Sequence, residues 1–312
     1  MGVSESVMPA SPQHSSVSPV RSVVIPAAGR GTRLLPATKA VRKELLPIGR
    51  KPLILYAVEE AAASGIDHII FVCSGSDSSL QRFFERDIQL EQLLDARGCE
   101  DEAEKLRAMC SGLRFSFVNQ SAPLGLADAI RCARPEIMDE AFGVILPDAL
   151  ILAQSPCIAQ LAECYRRQKG TVIATRLVRR CETSRYGILV VDSERAEGDV
   201  RVLHVSSMVE KPSPHSAPSL YGVFGRYVLA PDVFDAIDKT QLDPSGEFQL
   251  TDALNTYCDL NPVYGYLFEG RHIDAGNWRG FIEATIECVA ADVELAPILS
   301  GYTEASSRPH KS

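Results

Sequence analysis

Short apolar runs alternate along the chain with longer stretches in which apolar residues recur at helical spacing. The runs at 23–25 and 67–73 are typical of buried strands, and segment 52–65 between them begins with proline and ends with glycine, as a helix does. A strand, a helix and a strand in this order predict parallel pairing through a right-handed crossover. Further strands are predicted at 114–119, 142–147 and 171–178, and helices at 77–111, 156–169 and 279–294.

The second half of the chain has a different pattern. Strand patterns recur at 186–192, 200–209 and 219–229, with fewer helices between them. Together the two halves predict a three-layer, Rossmann-like α/β fold with a mostly parallel mixed central sheet.

The composition narrows the class of protein. The chain has 312 residues, a net charge of −8 and 46% hydrophobic residues, which argues for a soluble globular protein and against general nucleic-acid binding. It contains no apolar run long enough to cross a membrane. Its nine cysteines include no C-x-x-C pair. Buried free thiols in a reducing cytoplasm are therefore expected, rather than zinc or disulfides.

A glycine loop with positive charge follows the first predicted strand. Its sequence is Gly29-Arg-Gly-Thr-Arg33, and Lys39 and Lys43 come shortly after it. Glycines let the backbone approach a ligand, and the N–H groups of such a loop can bind an anion. Its spacing does not fit a P-loop, because no Lys-Ser or Lys-Thr follows Gly31 at the required offset. It does not fit a dinucleotide fingerprint either, because Leu34 stands where a third glycine belongs. The loop therefore favours a polyphosphate ligand, with a solvated surface turn as the alternative.

The loop is part of a longer motif that reads G-x-G-T-R-x-L-P-x-T-K-x-x-x-K-E-x-L-P. This motif resembles that of the bacterial UTP–glucose-1-phosphate uridylyltransferases, which are sugar nucleotidyltransferases with a GT-A-like fold. The resemblance extends over about 23–289. It implies that the nucleotide contacts four loop residues, Ala28, Gly29, Gly31 and Thr32. It also implies that phosphate charge is offset by three basic side chains, Arg33, Lys43 and Lys211.

A second segment, from Gln120 to Ile130, resembles the base-reading segment Q-x-x-P-x-G-L-G-H-A of that family. The Gln120 amide offers a donor and an acceptor to a pyrimidine edge, and Gly125 permits close backbone approach. Ala127 and Asp128 depart from the family pattern and are closer to the thymidylyltransferase relatives. Without the resemblance, a turn followed by a helix is the default interpretation.

Two carboxylates are candidates for a metal site. Asp148 directly follows the predicted strand at 142–147, where α/β folds bind ligands, although it could simply begin a turn. Asp274 lies in the later motif H-I-D-A-G-N. The resemblance implies that both bind Mg²⁺. Strand alternation places His272 on the same face as Asp274, where it could hydrogen-bond that carboxylate.

The resemblance implies that the sugar lies near Gly187 and the motif Glu210-Lys211-Pro212. Pro212 favours an extended Lys211, and alternation then places Glu210 and Lys211 on opposite faces unless the strand bends there. The resemblance implies that both side chains reach the site, Glu210 on sugar hydroxyls and Lys211 on phosphate. An exposed ion pair at a strand edge is the alternative.

The resemblance implies an enzyme that makes UDP-glucose and pyrophosphate from UTP and glucose 1-phosphate, with Mg²⁺ as cofactor. The alternatives are a glucose-1-phosphate thymidylyltransferase and a catalytically silent regulatory paralogue. We expect a homodimer or homotetramer in the cytoplasm, with neither a nucleic-acid nor a membrane partner.

The expected domain organisation follows from the same patterns. Residues 1–20 contain six serines and three prolines and lack the features of a signal peptide, so we expect a disordered tail. One nucleotidyltransferase domain should span 21–295, before a polar tail at 296–312. Its nucleotide-binding half should end near residue 150, and its sugar-binding half should follow.

Overall fold

A nine-stranded sheet forms the centre of the computed structural model, which describes residues 20–75, 77–197 and 200–306. The strands are β1 Val20–Pro26, β2 Pro47–Ile48, β3 Lys51–Pro52, β4 His68–Ser74, β5 Arg114–Gln120, β6 Ala141–Ile145, β7 Ala149–Leu152, β8 Thr171–Leu177, β9 Gly187–Glu197, β10 Val200–Glu210, β11 Tyr221–Leu229, β12 Val263–Leu267 and β13 Arg271–Asp274. The helices are α1 Leu53–Ala63, α2 Ser79–Phe84, α3 Ile88–Ala96, α4 Glu100–Met109, α5 Leu126–Ala133, α6 Cys157–Gln168, α7 Val233–Lys239, α8 Leu250–Cys258, α9 Trp278–Ala291 and α10 Ala296–Ser306.

The order of the strands confirms the predicted mixed sheet. Within the described residues it runs β5-β4-β1-β6-β11-β8-β12-β10-β9. The first four strands are mutually parallel, and β1 pairs with β4 in parallel as the strand–helix–strand pattern predicted. Of the strands that the structure describes in this sheet, only β11 and β10 run antiparallel to the others. The sheet is therefore parallel in its first half and mixed in its second.

Helices cover both faces of the sheet, as a three-layer fold requires. Alternation along β1 sends Val23 and Ile25 into a core with α1, α2 and α6, and sends Val24 into a second core with α5, α7 and α8. All three side chains are fully buried. Each contributes about 1.5–3 kcal/mol of hydrophobic stabilisation, so pairing in any other register would be costly.

A smaller unit fixes the two candidate metal-binding carboxylates. Strands β7 and β13 pair in antiparallel register, with Asp274 opposite Ala149, and α9 packs against them. The Ala275 amide donates to the Asp148 carbonyl at 2.8 Å, which joins the two strand ends. A Cβ at Gly280 would lie 1.9 Å from the Asp274 carbonyl oxygen, so only glycine lets α9 begin this close to the strand.

Several details differ from the sequence-based expectations. The expected polar tail at 296–312 begins with helix α10, and β9 and β10 are longer than their patterns indicated. The predicted helical segment at 77–111 is confirmed as the three helices α2, α3 and α4. The predicted disordered tail lies outside the described residues, apart from Val20, which begins β1. Within the described residues, no helix has both the length and the apolar character needed to span a membrane.

Candidate active site

A cavity of about 530 Å³ opens beside the carboxyl end of β6. Its lining includes six of the predicted site residues, Arg33, Asp148, Gly187, Glu210, Lys211 and Asp274. Lys43 reaches this lining through its contact with Asp148. Gln120, Gly125 and the loop at 28–32 are not part of the lining, although Leu126 of the base-reading segment is.

The glycine loop is folded tightly against Lys43. Gly31 has a φ of 62°, and a Cβ there would lie 3.0 Å from Thr38 Cγ2 and 3.1 Å from Lys43 Cβ. A Cβ at Gly29 would lie 3.9 Å from Lys43 Nζ, so the ammonium group lies beside the loop backbone. Ala28 is buried, whereas Thr32 is exposed and begins a short 3₁₀ turn that carries Arg33. The loop thus places its backbone close to the Lys43 ammonium group and next to the turn that carries Arg33.

Lys43 and Asp148 form a half-buried ion pair at the centre of the site. The distance from Lys43 Nζ to Asp148 Oδ2 is 2.7 Å. Burial lowers the pKa of Lys43, but the charges of Asp148 and Glu44 outweigh it and raise that pKa. Burial likewise raises the pKa of Asp148, and Lys43 and Arg33 outweigh it and lower that pKa. Both groups are therefore charged at neutral pH.

Arg33 links the two candidate metal-binding carboxylates. Its guanidinium lies 3.8 Å from Asp148 Oδ2 and 3.7 Å from Asp274 Oδ2. Asp274 is also held by Arg185 at 3.3 Å and by the Asn277 amide at 2.9 Å. The two carboxylates, which the sequence placed at separate strand ends, thus face one cation in one cavity.

His272 takes a different position from the one considered in the sequence. Its ring packs edge-on against Phe224, at 4.7 Å between centroids, and against Tyr186. Burial, assisted by the charge of Arg226, lowers the pKa of His272 to about 4. The ring is therefore neutral at pH 7. Among the described residues, the side-chain partners of Asp274 are Arg33, Arg185 and Asn277 instead.

Gly276 is a site residue that the sequence analysis missed. A Cβ there would lie 2.7 Å from Asp148 Oδ2, 2.8 Å from Arg33 Nη2 and 3.2 Å from Asp274 Oδ1. The glycine therefore keeps open the space between the two carboxylates. Its only sequence signal was its position two residues after Asp274.

The residues around this space fit a small hard cation. Among the described residues, no cluster of three or more His, Cys, Asp or Glu side chains is suited to a metal. A pair of carboxylates is nevertheless the usual protein contribution to a Mg²⁺ site, whose remaining ligands are phosphate oxygens and water. Asp148 and Asp274 supply such a pair, and Gly276 leaves the room.

Gln120 is buried at the end of β5. Its Nε2 donates to Asp128 Oδ2 at 2.7 Å and to the Gly125 carbonyl at 3.2 Å. Gly125 has a φ of 93°, and a Cβ there would lie 2.7 Å from the Phe248 carbonyl oxygen. Packing against the 247–248 backbone is therefore sufficient to require glycine at this position.

The chain bends sharply at the end of β10. The expectation that Lys211 is extended, because it precedes Pro212, is wrong: Lys211 has a φ of 44°. Its amide donates to the Tyr186 carbonyl at 3.1 Å, which holds this left-handed conformation in place. The alternation rule therefore does not apply beyond Glu210, and both side chains line the cavity.

Glu210 and Lys211 belong to a small polar cluster. Lys211 Nζ lies 2.8 Å from Glu210 Oε1, and the Thr251 hydroxyl donates to Glu210 Oε2 at 2.7 Å. A Cβ at Gly187 would lie 3.3 Å from Glu210 Oε2, so glycine leaves space beside this carboxylate. Thr251 lies in the first turn of α8.

The sequence analysis did not select two further residues, which contact Asp274 and the segment just after Arg33. Arg185 lines the cavity and pairs with Asp274, and its only signal was its place two residues before Gly187. The indole N–H of Trp278 donates to the Leu35 carbonyl at 3.0 Å. This bond ties the start of α9 to the segment that carries Arg33.

Comparison with known proteins identifies the family of this chain. Residues 22–290 match the family model described as nucleotidyl transferase. The UTP–glucose-1-phosphate uridylyltransferase of Bacillus subtilis (strain 168) is 39% identical over 285 residues, which cover 91% of this chain and 96% of that protein. The chain therefore belongs to the nucleotidyltransferase family, and within it to the UTP–glucose-1-phosphate uridylyltransferases, as its motifs predicted.

Solved structures are similar over nearly the whole fold. A UDP-glucose pyrophosphorylase complexed with UDP-glucose has a TM-score of 0.79 and 34% identity, covering 88% of this chain and all of that one. The UTP-bound UGPase from Acinetobacter baumannii has a TM-score of 0.83 and 30% identity, covering 91% of this chain and 98% of that one. The predicted nucleotidyltransferase fold is thereby confirmed.

Proposed function

We propose that the protein transfers the uridylyl group of UTP to α-D-glucose 1-phosphate, giving UDP-glucose and pyrophosphate. The observation that carries this proposal is the gathering of Arg33, Lys43 and Lys211 with two carboxylates around one cavity. Its family supports the proposal, since similar proteins carry the name of this activity and are seen with UTP or UDP-glucose.

The reaction needs no general base from the protein. A phosphate oxygen of glucose 1-phosphate is already anionic and attacks the α-phosphorus, while the bond from that phosphorus to the bridging oxygen breaks and pyrophosphate leaves. The demands are positioning and the offsetting of negative charge. A neutral His272 packed among aromatic rings is consistent with a site that uses no base.

Two of the cations at the site form ion pairs with carboxylates. Lys43 is paired with Asp148, and Lys211 with Glu210. We propose that substrate phosphates compete for these cations, and that Arg33, Lys43 and Lys211 then bind and orient the phosphates. Glu210 is thereby freed for sugar hydroxyls, beside the space that Gly187 leaves.

We propose that Asp148 and Asp274 hold a Mg²⁺ ion in the space beside Gly276. The hard carboxylate oxygens and the two-carboxylate set favour this ion over softer metals. When bound, it would offset charge on the phosphate oxygens. Arg33, which faces both carboxylates, would then be available for phosphate.

We also propose self-association, as a homodimer or homotetramer in the cytoplasm. Helix α9 exposes Trp278, Ile282 and Ile286, which are 42%, 51% and 45% exposed and lie four residues apart on one face. Such an apolar stripe fits a protein–protein contact. Light scattering of the purified protein, with Ile282→Glu as the disrupting variant, tests this.

Pyrophosphate release from a panel of nucleotides tests the proposed reaction. UTP, dTTP, CTP and ATP are each supplied with glucose 1-phosphate and Mg²⁺, and UTP should be the preferred nucleotide. A preference for dTTP would favour the thymidylyltransferase alternative, and no release with any pair would favour a silent paralogue. Pyrophosphate release is also measured with other sugar 1-phosphates, among which glucose 1-phosphate should be preferred.

Variants connect this activity to the site. Arg33→Ala and Lys43→Ala should each lower kcat/KM by about a hundredfold or more, as does the loss of one preorganised charge contact. Lys105→Ala is the control, because Lys105 is exposed on α4 and lies outside the cavity lining. Wild-type turnover in either site variant would remove that residue from the mechanism.

A further inference from the structure

Asp128 and Gln120 form a buried contact beside the expected base-binding segment. Gln120 is 3% exposed and Asp128 is 5% exposed. The two hydrogens of the Gln120 amide nitrogen go to Asp128 Oδ2 at 2.7 Å and to the Gly125 carbonyl at 3.2 Å. Both acceptors lie on the same side of the amide, so its nitrogen is fully committed to the protein.

The chemistry of these neighbours fixes the direction of the amide. A carboxylate and a backbone carbonyl only accept hydrogen bonds, so a reversed amide would place its oxygen against two acceptors with no proton between them. Asp128 also forms an ion pair with Arg131 and lies in the first turn of α5. Only the nitrogen can therefore face inward.

The rest of the surroundings hold Asp128 in place. The Arg131 guanidinium lies over the Phe248 ring, 5.0 Å from its centroid. The Phe248 backbone in turn bonds Leu124 at 2.7 Å and Ala127 at 3.0 Å. Residues on either side of Phe248 line the cavity. The carboxylate is thus part of a packed network that connects to the site.

We propose that Asp128 is a positioning residue that presents Gln120 Oε1, and not Nε2, to the nucleotide base. Among the described residues, no group donates a hydrogen bond to Gln120 Oε1. An oxygen presented alone accepts from the N3–H of uracil and meets the bare N3 acceptor of cytosine. The preference for UTP over CTP would then depend on Asp128, a residue that contacts neither the base nor the phosphates. This inference rests on the proposed function, in which Gln120 faces the base.

Thymine has the same N3–H as uracil, so this device does not separate UTP from dTTP. It also limits which atoms of the base Gln120 can contact, compared with what the sequence suggested. The amide nitrogen of Gln120 is occupied within the protein and is not offered to the O4 of the base, which leaves N3–H as the atom that is read.

The experiment compares the ratio of kcat/KM for UTP to kcat/KM for CTP in four variants and the wild type. Asp128→Asn keeps the shape of the side chain but lets the Gln120 amide face either way, so this ratio should fall roughly tenfold, as expected for one hydrogen bond. Arg131→Gln is the matched control. It removes the ion pair but leaves the carboxylate on Gln120, so activity with both nucleotides should change alike.

The last two proteins are Gln120→Met and the double variant Gln120→Met with Asp128→Asn. If Asp128 acts through Gln120, the second change adds nothing once the amide is gone.

The outcomes separate this inference from the proposed function. Binding of UTP and CTP, measured by calorimetry without glucose 1-phosphate, gives the same selectivity without turnover. An Asp128→Asn protein that keeps the wild-type ratio overturns the inference while leaving the uridylyltransferase activity intact. A further fall in the double variant, or an equal fall in Arg131→Gln, overturns it as well. A wild-type protein that binds both nucleotides but turns over neither refutes the proposed function, and the binding ratios still decide the role of Asp128.

Discussion

Glu44 offers a direct test of how burial controls charge next to the active site. Its side chain is fully buried, and neither carboxylate oxygen has a hydrogen-bond partner among the described residues. The nearest opposite charge is Lys43 Nζ, 3.9 Å away. Burial raises the pKa of Glu44 from 4.5 to about 7, although Lys43 opposes this shift. The perturbation we choose is Glu44→Gln, which keeps the shape and removes the titration.

The proton that Glu44 keeps in the native state determines how the free energy of unfolding depends on pH. Between pH 4.5 and about 7 the native protein keeps a proton on Glu44 that the unfolded chain has released. Stability therefore falls as pH rises through this window, and the loss is complete above it. At about 1.4 kcal/mol per pKa unit, most of a ~3 kcal/mol penalty accumulates between pH 5 and 8. The Glu44→Gln variant carries no such penalty at any pH.

Denaturant unfolding of both proteins at pH 5, 6, 7 and 8 measures this. The free energy of unfolding of Glu44→Gln, minus that of the wild type, should increase by about 2–3 kcal/mol from pH 5 to pH 8. Glu104→Gln is the control, because Glu104 is exposed on α4 and its difference from the wild type should stay constant. A difference for Glu44→Gln that does not vary with pH would refute the reasoning, since it would mean that Glu44 ionises normally despite its burial.

Three other substitutions test separate parts of the structure. Gly276→Ala should lower kcat/KM about a hundredfold with little change in melting temperature, because its Cβ would lie 2.7 Å from Asp148 Oδ2; full activity would show that the space is not used. Asp274→Asn should raise the Mg²⁺ concentration for half-maximal rate, and activity in excess EDTA would contradict the metal site. Arg226→Met should cost about 3–5 kcal/mol in urea unfolding, because it leaves Glu60 buried without its bidentate partner; a loss below about 1 kcal/mol would contradict that pairing.

The sequence was sufficient to predict the structure wherever local pattern and strand position determine it. The apolar runs of β1 and β6 are buried on both faces, and their lengths and order identified the parallel half of the sheet. Asp148 was identifiable for a related reason, since it directly follows such a run and the carboxyl ends of parallel strands share one edge. The glycine loop was identifiable because Gly31 must take a left-handed conformation.

The sequence could not predict residues whose role depends on contacts with distant parts of the chain. Gly276 matters because of a carboxylate far earlier in the chain, and its position two residues after Asp274 does not reveal that contact. Arg226 sits within an apolar strand and is 2% exposed, yet its partner Glu60 lies on α1. That pair also connects to the site, since Arg226 donates to the Leu146 carbonyl at 3.1 Å, close to Asp148. Such pairings depend on the assembled fold and leave no periodicity in the sequence.

Lys211 shows how a local rule can fail where the site needs it to fail. A residue before proline prefers an extended backbone, and a left-handed non-glycine residue costs about 1–3 kcal/mol. Lys211 nevertheless has a φ of 44°, held by its hydrogen bond to the Tyr186 carbonyl. An extended Lys211 would point away from Glu210, because neighbouring side chains on a strand face opposite sides. The left-handed turn instead places both in one cavity, 2.8 Å apart. In the proposed reaction, one sugar phosphate needs an acceptor for its hydroxyls and a cation for its phosphate, and two adjacent residues supply both only if the backbone bears this strain.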